Sequence, residues 1–320
     1  MDLLNFKPQK KFSQKHLLTM CDYTRDEILE ILSLAIKLKE MQKKGQAHKL
    51  LEGKTLAMIF TKSSTRTRVS FQTGIFQLGG QGMFLSGNDI QLGRGETIQD
   101  TARTLSRMVD GIMIRTFAQS DVEGLAEFGS VPVINGLTDD YHPCQALADV
   151  QTIYEHKGTL ENTKLAFVGD GNNVAHSLMI ICAKLGMDVS VASPKGFEPN
   201  AGIVKKVLEF AKESGSTVEI TNDPKQAVQN ADAVYTDVWA SMGQENQFEE
   251  KSKNFLAYQV NAGLMANAKK DAIFLHCLPA HRGEEVTADV IDGPQSVVFD
   301  EAENRLHAQK AVMVLLMGDK

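Results

Sequence analysis

The chain has 320 residues, of which 42% are hydrophobic and 23% are charged, an ordinary globular composition. A chain of this length favours two domains over one. A net charge of −6 and a pI near 5.8 argue against nucleic acid as the main partner. Any anion site must therefore be a local focus of positive charge in a mildly acidic protein.

The cysteines and the terminal segments indicate the cellular compartment of the protein. The four cysteines are widely spaced and form no CxxC pair, so neither a zinc ribbon nor a disulfide framework is predicted. This usage fits a reducing compartment, and we expect a cytoplasmic protein. Residues 1–20 lack the continuous apolar core of a signal peptide, and the apolar run Ala311–Met317 is too short to span a bilayer.

The first half of the chain alternates strands and helices. Residues 1–20 resemble an arm ahead of a first helix, for which Thr24 is the expected N-cap. The apolar run Thr55–Phe60 predicts a buried strand, and the helix after it is stopped by Gly79-Gly80. Three further strands are predicted at 82–85, 111–114 and 131–134, and two further helices at 97–109 and 121–128.

Two polar loops interrupt this half. Ser86–Glu96 contains three glycines and no periodicity, which is typical of an ordered functional loop, and it includes Gln91. The second loop leads into His142-Pro143-Cys144-Gln145, where Pro143 suits the first position of a helix. We interpret that helix, which runs to about His156, as the connector between domains.

The second half repeats the alternation from Lys164 onward. Strands are predicted at 164–168, 188–192, 217–220, 231–236, 272–275 and 297–299. The sequence therefore predicts two doubly wound α/β domains with parallel sheets and an active site in the cleft between them. We place the domains at residues 1–150 and 151–300, with the last helix, about 301–320, packing back on the first.

A strand-to-helix junction at Ser64-Thr65-Arg66-Thr67-Arg68 is the clearest candidate for chemistry. The free N–H groups of a first helical turn, its dipole, the hydroxyls and a guanidinium fork suit a phosphate. Arg115, at the end of a predicted strand, and Gln91 would complete an anion site, and His142 and Gln145 would add neutral hydrogen-bonding groups. The alternative is an ordinary N-cap with two solvated arginines.

The second half predicts a different pocket. Asn173, Asp237, Ser241-Met242 and Cys277 combine an amide, a carboxylate and a thiol, which suits an ammonium group. Individually, Asp237 could simply cap a turn, and Cys277 could be a small buried hydrophobe.

Two other types of site are disfavoured. His276, Cys277 and His281 do not have the spacing of common zinc sites, so we expect no metal. Gly169-Asp170-Gly171 suggests a dinucleotide fold, but the third glycine of that fingerprint would fall at Val174. A nicotinamide-dependent oxidoreductase stays a weak alternative, as does a non-catalytic binding module.

Five motifs in order resemble those of the aspartate and ornithine carbamoyltransferases, mainly the ornithine branch. They are Ser64–Arg68, Asn88–Glu96, His142–Gln145, Asp237–Gly243 and His276–Pro279. The resemblance spans the chain from about residue 15 to its end. Gln72, where many members carry Glu, and the turn Asp170-Gly171-Asn172 depart from the usual pattern without touching these motifs.

The resemblance implies roles for named residues. Carbamoyl phosphate would be bound by Ser64, Thr65, Arg66, Thr67, Gln91, Arg115, His142, Pro143, Cys144, Gln145, Cys277, Leu278 and Arg305. The catalytic residues would be Arg115, His142, Cys277 and Thr67, and ornithine would be bound by Asn173, Asp237, Ser241 and Met242.

The resemblance also implies a reaction and an assembly. Carbamoyl phosphate and ornithine would give citrulline and phosphate, in arginine biosynthesis or, in reverse, in arginine catabolism, and no cofactor is expected. Gln91 would come from a neighbouring subunit of a homotrimer, or of an assembly of trimers. Putrescine, an acylated ornithine and aspartate are alternative acceptors of the carbamoyl group.

Overall fold

The computed structural model describes residues 2–92, 94–239 and 253–318, which form two compact units. The first unit is Asp2–Ala148 together with the chain from Glu303 onward, and the second is Asp149–Ala302. No helix in these described ranges has the length and apolar character needed to cross a membrane.

The first unit contains a parallel four-stranded sheet in the order β2-β1-β3-β4. Its strands are β1 (Thr55–Phe60), β2 (Gln81–Ser86), β3 (Gly111–Arg115) and β4 (Val133–Leu137). Its helices are α1 (Arg25–Lys43), α2 (Thr65–Gln77), α3 (Ile98–Leu105), α4 (Gln119–Phe128) and the start of α5 (Pro143–Lys157).

The second unit contains a parallel five-stranded sheet in the order β7-β6-β5-β8-β9. Its strands are β5 (Lys164–Val168), β6 (Asp188–Ala192), β7 (Val218–Thr221), β8 (Ala233–Thr236) and β9 (Ile273–His276). Its helices are α6 (Asn173–Leu185), α7 (Ala201–Ser214), α8 (Pro224–Val228), α9 (Ala262–Met265), α10 (Ala288–Ile291) and the start of α11 (Val298–Met317).

Strand order marks where ligands bind in each sheet. In the first sheet the chain starts at β1 and continues to opposite sides of it, so the order reverses between β1 and β3. In the second sheet it reverses between β5 and β8. Such switch points open a crevice beyond the carboxyl ends of parallel strands, where doubly wound sheets bind their ligands.

Two glycines let α11 approach the first sheet and α2 closely. A Cβ on Gly74 of α2 would lie 3.0 Å from Cε of Met313, and one on Gly111 of β3 would lie 2.8 Å from Sδ of Met317. Because glycine carries no Cβ, helix α11 can pack this closely against α2 and β3. The same packing brings Arg305, near the beginning of the part of α11 that belongs to the first unit, to the first turn of α2.

The predicted parallel α/β architecture is confirmed, and one predicted strand is wrong. Residues 297–299 favour a strand by their apolar, β-branched composition, yet α11 begins at Val298. Only Ser296 forms an isolated bridge to Phe274, and the chain turns helical when the Glu301 N–H donates to the Val297 carbonyl at 2.9 Å. The strand predicted at 131–134 instead begins at Val133, after Pro132.

Glu27 ties the N-terminal arm to α1. Its Oε2 accepts the Thr24 N–H at 2.9 Å while Thr24 Oγ1 accepts the Glu27 N–H at 3.3 Å, which is a capping box. Its Oε1 accepts from the Ser13 hydroxyl at 2.7 Å. Burial alone would raise the pKa of Glu27, but the hydrogen bonds from Thr24, Ser13 and Gln14 outweigh it and lower the pKa to about 2.

We predict that Glu27→Gln destabilises the protein at pH 7 by about 1–3 kcal/mol, because the charged acceptor is lost. A carboxylate with a lowered folded-state pKa stabilises above the unfolded-state pKa of about 4.3, and this stabilisation is lost as the pH falls toward about 2. Unfolding midpoints measured from pH 7 to 2 should therefore fall less steeply in the variant. Glu40→Gln, at an exposed pair with Lys44, is the control, and equal acid slopes in wild type and Glu27→Gln would contradict the assignment.

Candidate active site

The turn between β1 and α2 is the centre of the candidate anion site. Ser64 is the N-cap of α2, and its hydroxyl accepts the Thr67 N–H at 3.1 Å. Thr65, Arg66 and Thr67 make up the first turn, which contains no acidic residue. The unsatisfied N–H groups and the positive end of the helix dipole therefore meet at the switch point of the first sheet.

Arg115 lies beside this turn because its strand does. It is the last residue of β3, pairs in register with Phe60 of β1, and accepts the Thr61 N–H through its carbonyl at 3.0 Å. Its side chain is buried. The neighbouring strands thus place Arg115 at the edge of the sheet from which the turn before α2 starts, and its charge acts on His142.

Arg305 reaches the same place from the far end of the chain. It is 2% exposed, and its Nη2 donates to Thr67 Oγ1 at 3.1 Å. Its Nη1 donates to Gln145 Oε1 at 2.7 Å, and its Nε donates to Gln309 Oε1 at 3.0 Å. These three acceptors are neutral oxygens, and a guanidinium is always protonated, so these bonds bring a positive charge to the first turn of α2.

Burial and three nearby arginines keep His142 neutral. Burial lowers the pKa of His142 well below its ordinary value, and the charges of Arg305, Arg115 and Arg66 lower it further. The imidazole is therefore neutral at physiological pH, with one N–H donor and one nitrogen acceptor. It can polarise a carbonyl oxygen without competing with the arginines for an anion.

The remaining residues of the predicted carbamoyl-phosphate motif play unequal parts. Pro143 begins α5, and Gln145 is buried against Arg305. The Cys144 thiol donates to the Asn135 carbonyl at 3.4 Å, and burial raises its pKa to about 12. Gln91 is exposed in its loop, and within the described residues no hydrogen bond joins its side chain to the anion site.

The second unit assembles a carboxylate, an amide and a thiol at its own switch point. Asp237 directly follows β8, and Cys277 directly follows β9, its neighbour in the sheet. The Cys277 thiol donates to Asp237 Oδ1 at 3.1 Å, and the Asn172 amide donates to Asp237 Oδ2 at 2.7 Å. Asn172 is the N-cap of α6, which places Asn173 at the first helical position.

Cys277 is a neutral thiol in this arrangement. Burial raises its pKa well above the ordinary value, and the charges of Asp237 and Glu301 raise it further. A thiol nucleophile needs its thiolate form, which this environment disfavours. Cys277 is therefore suited to hydrogen bonding with an amine and not to covalent catalysis.

His276 supports the loop that carries Cys277 and Leu278. Leu278 has a left-handed φ of +57°, and its N–H donates to His276 Nδ1 at 2.9 Å. The other ring nitrogen lies 3.1 Å from Glu285 Oε1. Ligand atoms of Asp237, His276 and Cys277 lie within 4.8 Å of one another, but both imidazole nitrogens are already engaged.

Comparison with known proteins agrees with this division into two half-sites. The family model for the carbamoyl-phosphate-binding domain of aspartate/ornithine carbamoyltransferase matches residues 15–155, and the model for its aspartate/ornithine-binding domain matches residues 161–316. The chain belongs to the aspartate/ornithine carbamoyltransferase family. The resemblance seen in the five motifs is thereby confirmed.

Individual carbamoyltransferases match over nearly their full length. The ornithine carbamoyltransferase of Thermococcus kodakarensis is 61% identical over 304 residues, 95% of this chain and 96% of the relative. That of Oceanobacillus iheyensis is 60% identical over 316 residues, 99% of this chain and 98% of the relative. The solved ornithine carbamoyltransferase of Pyrococcus furiosus superposes with a TM-score of 0.94 at 58% identity, covering 97% and 100% of the two chains.

Sequence reasoning missed three residues of this carbamoyltransferase and named two that cannot be placed. Gln309 and Ser70 hold Arg305, since Gln309 Oε1 also accepts from the Ser70 hydroxyl at 3.0 Å, and Asn172 holds Asp237. The N-cap pattern at Asn172 was the available signal for that residue. Ser241 and Met242 lie outside the described residues.

We predict that Asp237→Asn speeds the alkylation of Cys277. Removing the adjacent negative charge lowers the pKa of the thiol, although burial still holds it above the ordinary value, so the thiolate fraction at pH 8 rises. The rate of iodoacetamide labelling at Cys277, followed by peptide mass spectrometry, should increase several-fold. The half-exposed Cys21 serves as an internal reference, and an unchanged ratio of the two labelling rates would contradict the charge argument.

Proposed function

We propose that this protein transfers the carbamoyl group of carbamoyl phosphate to the side-chain amine of L-ornithine, giving L-citrulline and phosphate. The observation that carries the proposal is the anion site in which Arg305 donates hydrogen bonds to Thr67 and Gln145. Arg305 lies 238 residues after Thr67 in the sequence. A second, chemically distinct site around Asp237 supports an amine as the other substrate.

In the first half-site, the phosphate of carbamoyl phosphate binds at the start of α2. Ser64, Thr65, Arg66 and Thr67 supply hydroxyls, N–H groups and a guanidinium fork, with Arg305 beside them. Arg115, His142 and Gln145 bind the carbamoyl group, and Pro143, Cys144 and Leu278 contribute through the main chain. Gln91 is supplied by a neighbouring subunit.

In the second half-site, ornithine binds by the α-ammonium and α-carboxylate of its amino-acid end. The carboxylate of Asp237 accepts from an ammonium, and Asn173 lies at the positive end of the α6 dipole, where a substrate α-carboxylate is favoured. Ser241 and Met242 complete the amino-acid end of the site. Cys277 and Leu278 face the side-chain amine that reacts.

The reaction requires a neutral amine, since an alkyl ammonium has a pKa of about 10.4 and no lone pair while protonated. The amine nitrogen forms a bond to the carbamoyl carbon, and negative charge grows on the carbonyl oxygen. Arg115, neutral His142 and Thr67 stabilise that charge. The bond from carbon to the phosphate oxygen then breaks, and the leaving phosphate takes the amine's proton. No cofactor takes part.

Ornithine suits the site better than putrescine does. Both offer a primary amine, but only ornithine has the α-carboxylate that the α6 N-terminus would bind. A parallel assay of both amines with carbamoyl phosphate tests this preference. Substantially faster turnover of putrescine would exclude ornithine as the main acceptor.

We place the reaction in arginine biosynthesis in the cytoplasm. A Pyrococcus furiosus relative, 60% identical over 304 residues, is named an anabolic ornithine carbamoyltransferase. The four free cysteines fit a reducing compartment.

A homotrimer is part of the proposal, because within the described residues no hydrogen bond joins the Gln91 side chain to the anion site of its own chain. Val69 and Phe76 lie on one exposed stripe of α2, at 57% and 77% exposure, and Met83 of the edge strand β2 is 43% exposed. Apolar side chains clustered on neighbouring elements are typical of a covered surface. We assign this surface to a second copy of the chain.

Two variants test the division of labour between the half-sites. Arg66→Ala should lower carbamoyl transfer by about 100-fold or more, because a charged donor to the phosphate is lost. Asp237→Asn should raise the KM for ornithine more than the KM for carbamoyl phosphate. Citrulline formation and circular dichroism of the folded variants measure both effects, and near-normal turnover by Arg66→Ala would refute the anion site.

The assembly is tested by Phe76→Asp, which places a charge on the proposed contact surface. We expect sedimentation velocity to show dissociation of the trimer and citrulline formation to fall with it, because Gln91 is withdrawn from its neighbour. Leu208→Asp, on the exposed face of α7, is the matched control. A wild-type protein that sediments as a monomer while forming citrulline would contradict the trimer.

A further inference from the structure

Asn172 joins the start of α6 to the carboxylate of Asp237. We infer that Asn172 is a positioning residue of the ornithine site, which orients Asp237 so that its Oδ2 retains one acceptor direction for a substrate ammonium. This inference rests on the proposed function and adds a residue to it. It was not among the residues that the motifs indicated.

Both ends of the Asn172 amide are committed. Its Oδ1 accepts the N–H groups of Val174 and Ala175 at 3.0 and 3.2 Å, as the N-cap of α6. Reversing the amide would point its NH₂ group at those two N–H donors. The capping bonds therefore fix Nδ2 as the atom that faces Asp237 Oδ2 at 2.7 Å.

The hydrogen bonds to Asp237 divide unequally between its two oxygens. Oδ1 accepts from the Val238 N–H at 2.8 Å and from the Cys277 thiol at 3.1 Å, while Oδ2 accepts from Asn172. A carboxylate oxygen has about two acceptor positions. Within the part of the chain that the structure describes, Oδ1 is thus saturated, and Oδ2 has one position for the ammonium.

The turn that presents Asn172 is rigid. A Cβ on Gly171 would lie 2.2 Å from the Pro199 nitrogen, so this position requires glycine. The Gly171 N–H donates to the Phe197 carbonyl at 2.8 Å and the Asn172 N–H donates to the Asp170 carbonyl at 2.7 Å, so the peptides on both sides of Gly171 are held. Because the backbone is held on one side and the amide on the other, Asn172 sets the plane of the Asp237 carboxylate.

The test separates the capping role from the positioning role. Asn172→Ser keeps an N-cap, since serine caps about as well as asparagine, but its short hydroxyl does not reach Asp237. We expect its KM for ornithine to rise about tenfold or more, as for a lost hydrogen bond to a charged group, with an unchanged KM for carbamoyl phosphate and an unchanged melting temperature. Asn172→Asp keeps the cap without the donor and should raise the same KM.

Two further variants complete the comparison. Asn172→Ala removes cap and donor together, so its melting temperature should fall while its KM for ornithine matches that of Asn172→Ser. Asn200→Ser is the matched control, because Asn200 caps α7 through the N–H groups of Gly202 and Ile203. It should leave both KM values unchanged.

The positioning role is overturned if Asn172→Ser has the ornithine KM of the wild type, or if it raises both KM values equally. Iodoacetamide labelling of Cys277 gives a readout independent of turnover. Loosening Asp237 in Asn172→Ser should raise that rate relative to Asn200→Ser. If the wild type forms no citrulline, the proposed function fails, while the labelling comparison still tests whether Asn172 orients Asp237.

Discussion

The hydrogen bonds of Arg305 are the interaction on which the anion site depends. A buried guanidinium is costly unless its donors are satisfied, and here Thr67, Gln145 and Gln309 accept from it at 2.7 to 3.1 Å. All three acceptors are neutral, so none of these hydrogen bonds offsets the positive charge. A carboxylate in place of any of them would satisfy the same donor but offset the positive charge that the proposed phosphate site needs.

A second buried cation of α11 also has neutral hydrogen-bond acceptors. Lys310, further along α11, is buried and donates to the neutral side-chain oxygens of Gln42 and Gln77, and its Nζ lies 3.2 Å from His48 Nε2. Burial lowers the pKa of Lys310 to about 8. Helix α11 is therefore anchored through buried cations and neutral acceptors, and the close packing at Gly74 and Gly111 lets them reach their partners.

The parallel sheets then decide which residues meet. Register pairs Phe60 with Arg115, and Thr236 with His276, so the residues that follow adjacent strands lie side by side. Burial in surroundings of low dielectric constant shifts the pKa values of these groups toward their neutral forms. The same burial that keeps His142 neutral among arginines keeps Cys277 protonated beside Asp237. Each half-site therefore contains neutral hydrogen-bonding groups next to a retained charge.

The amino-acid sequence by itself determined the parallel α/β class, most strand positions and the two kinds of site, because these depend on local periodicity, turn residues and helix caps. It failed at 297–299, where β-branched composition favours a strand but the chain turns into α11. Only the tertiary structure showed that Gln309 accepts from both Ser70 and Arg305 and that the Asn172 amide donates to Asp237. The contacts of Asn172 with Asp237 and of Ser70 with Gln309 join residues that are 65 and 239 positions apart. The contact of Arg305 with Gln309 is local but depends on the direction of both side chains. Neither is encoded in the spacing of a motif, since both follow from how closely packed elements place their side chains.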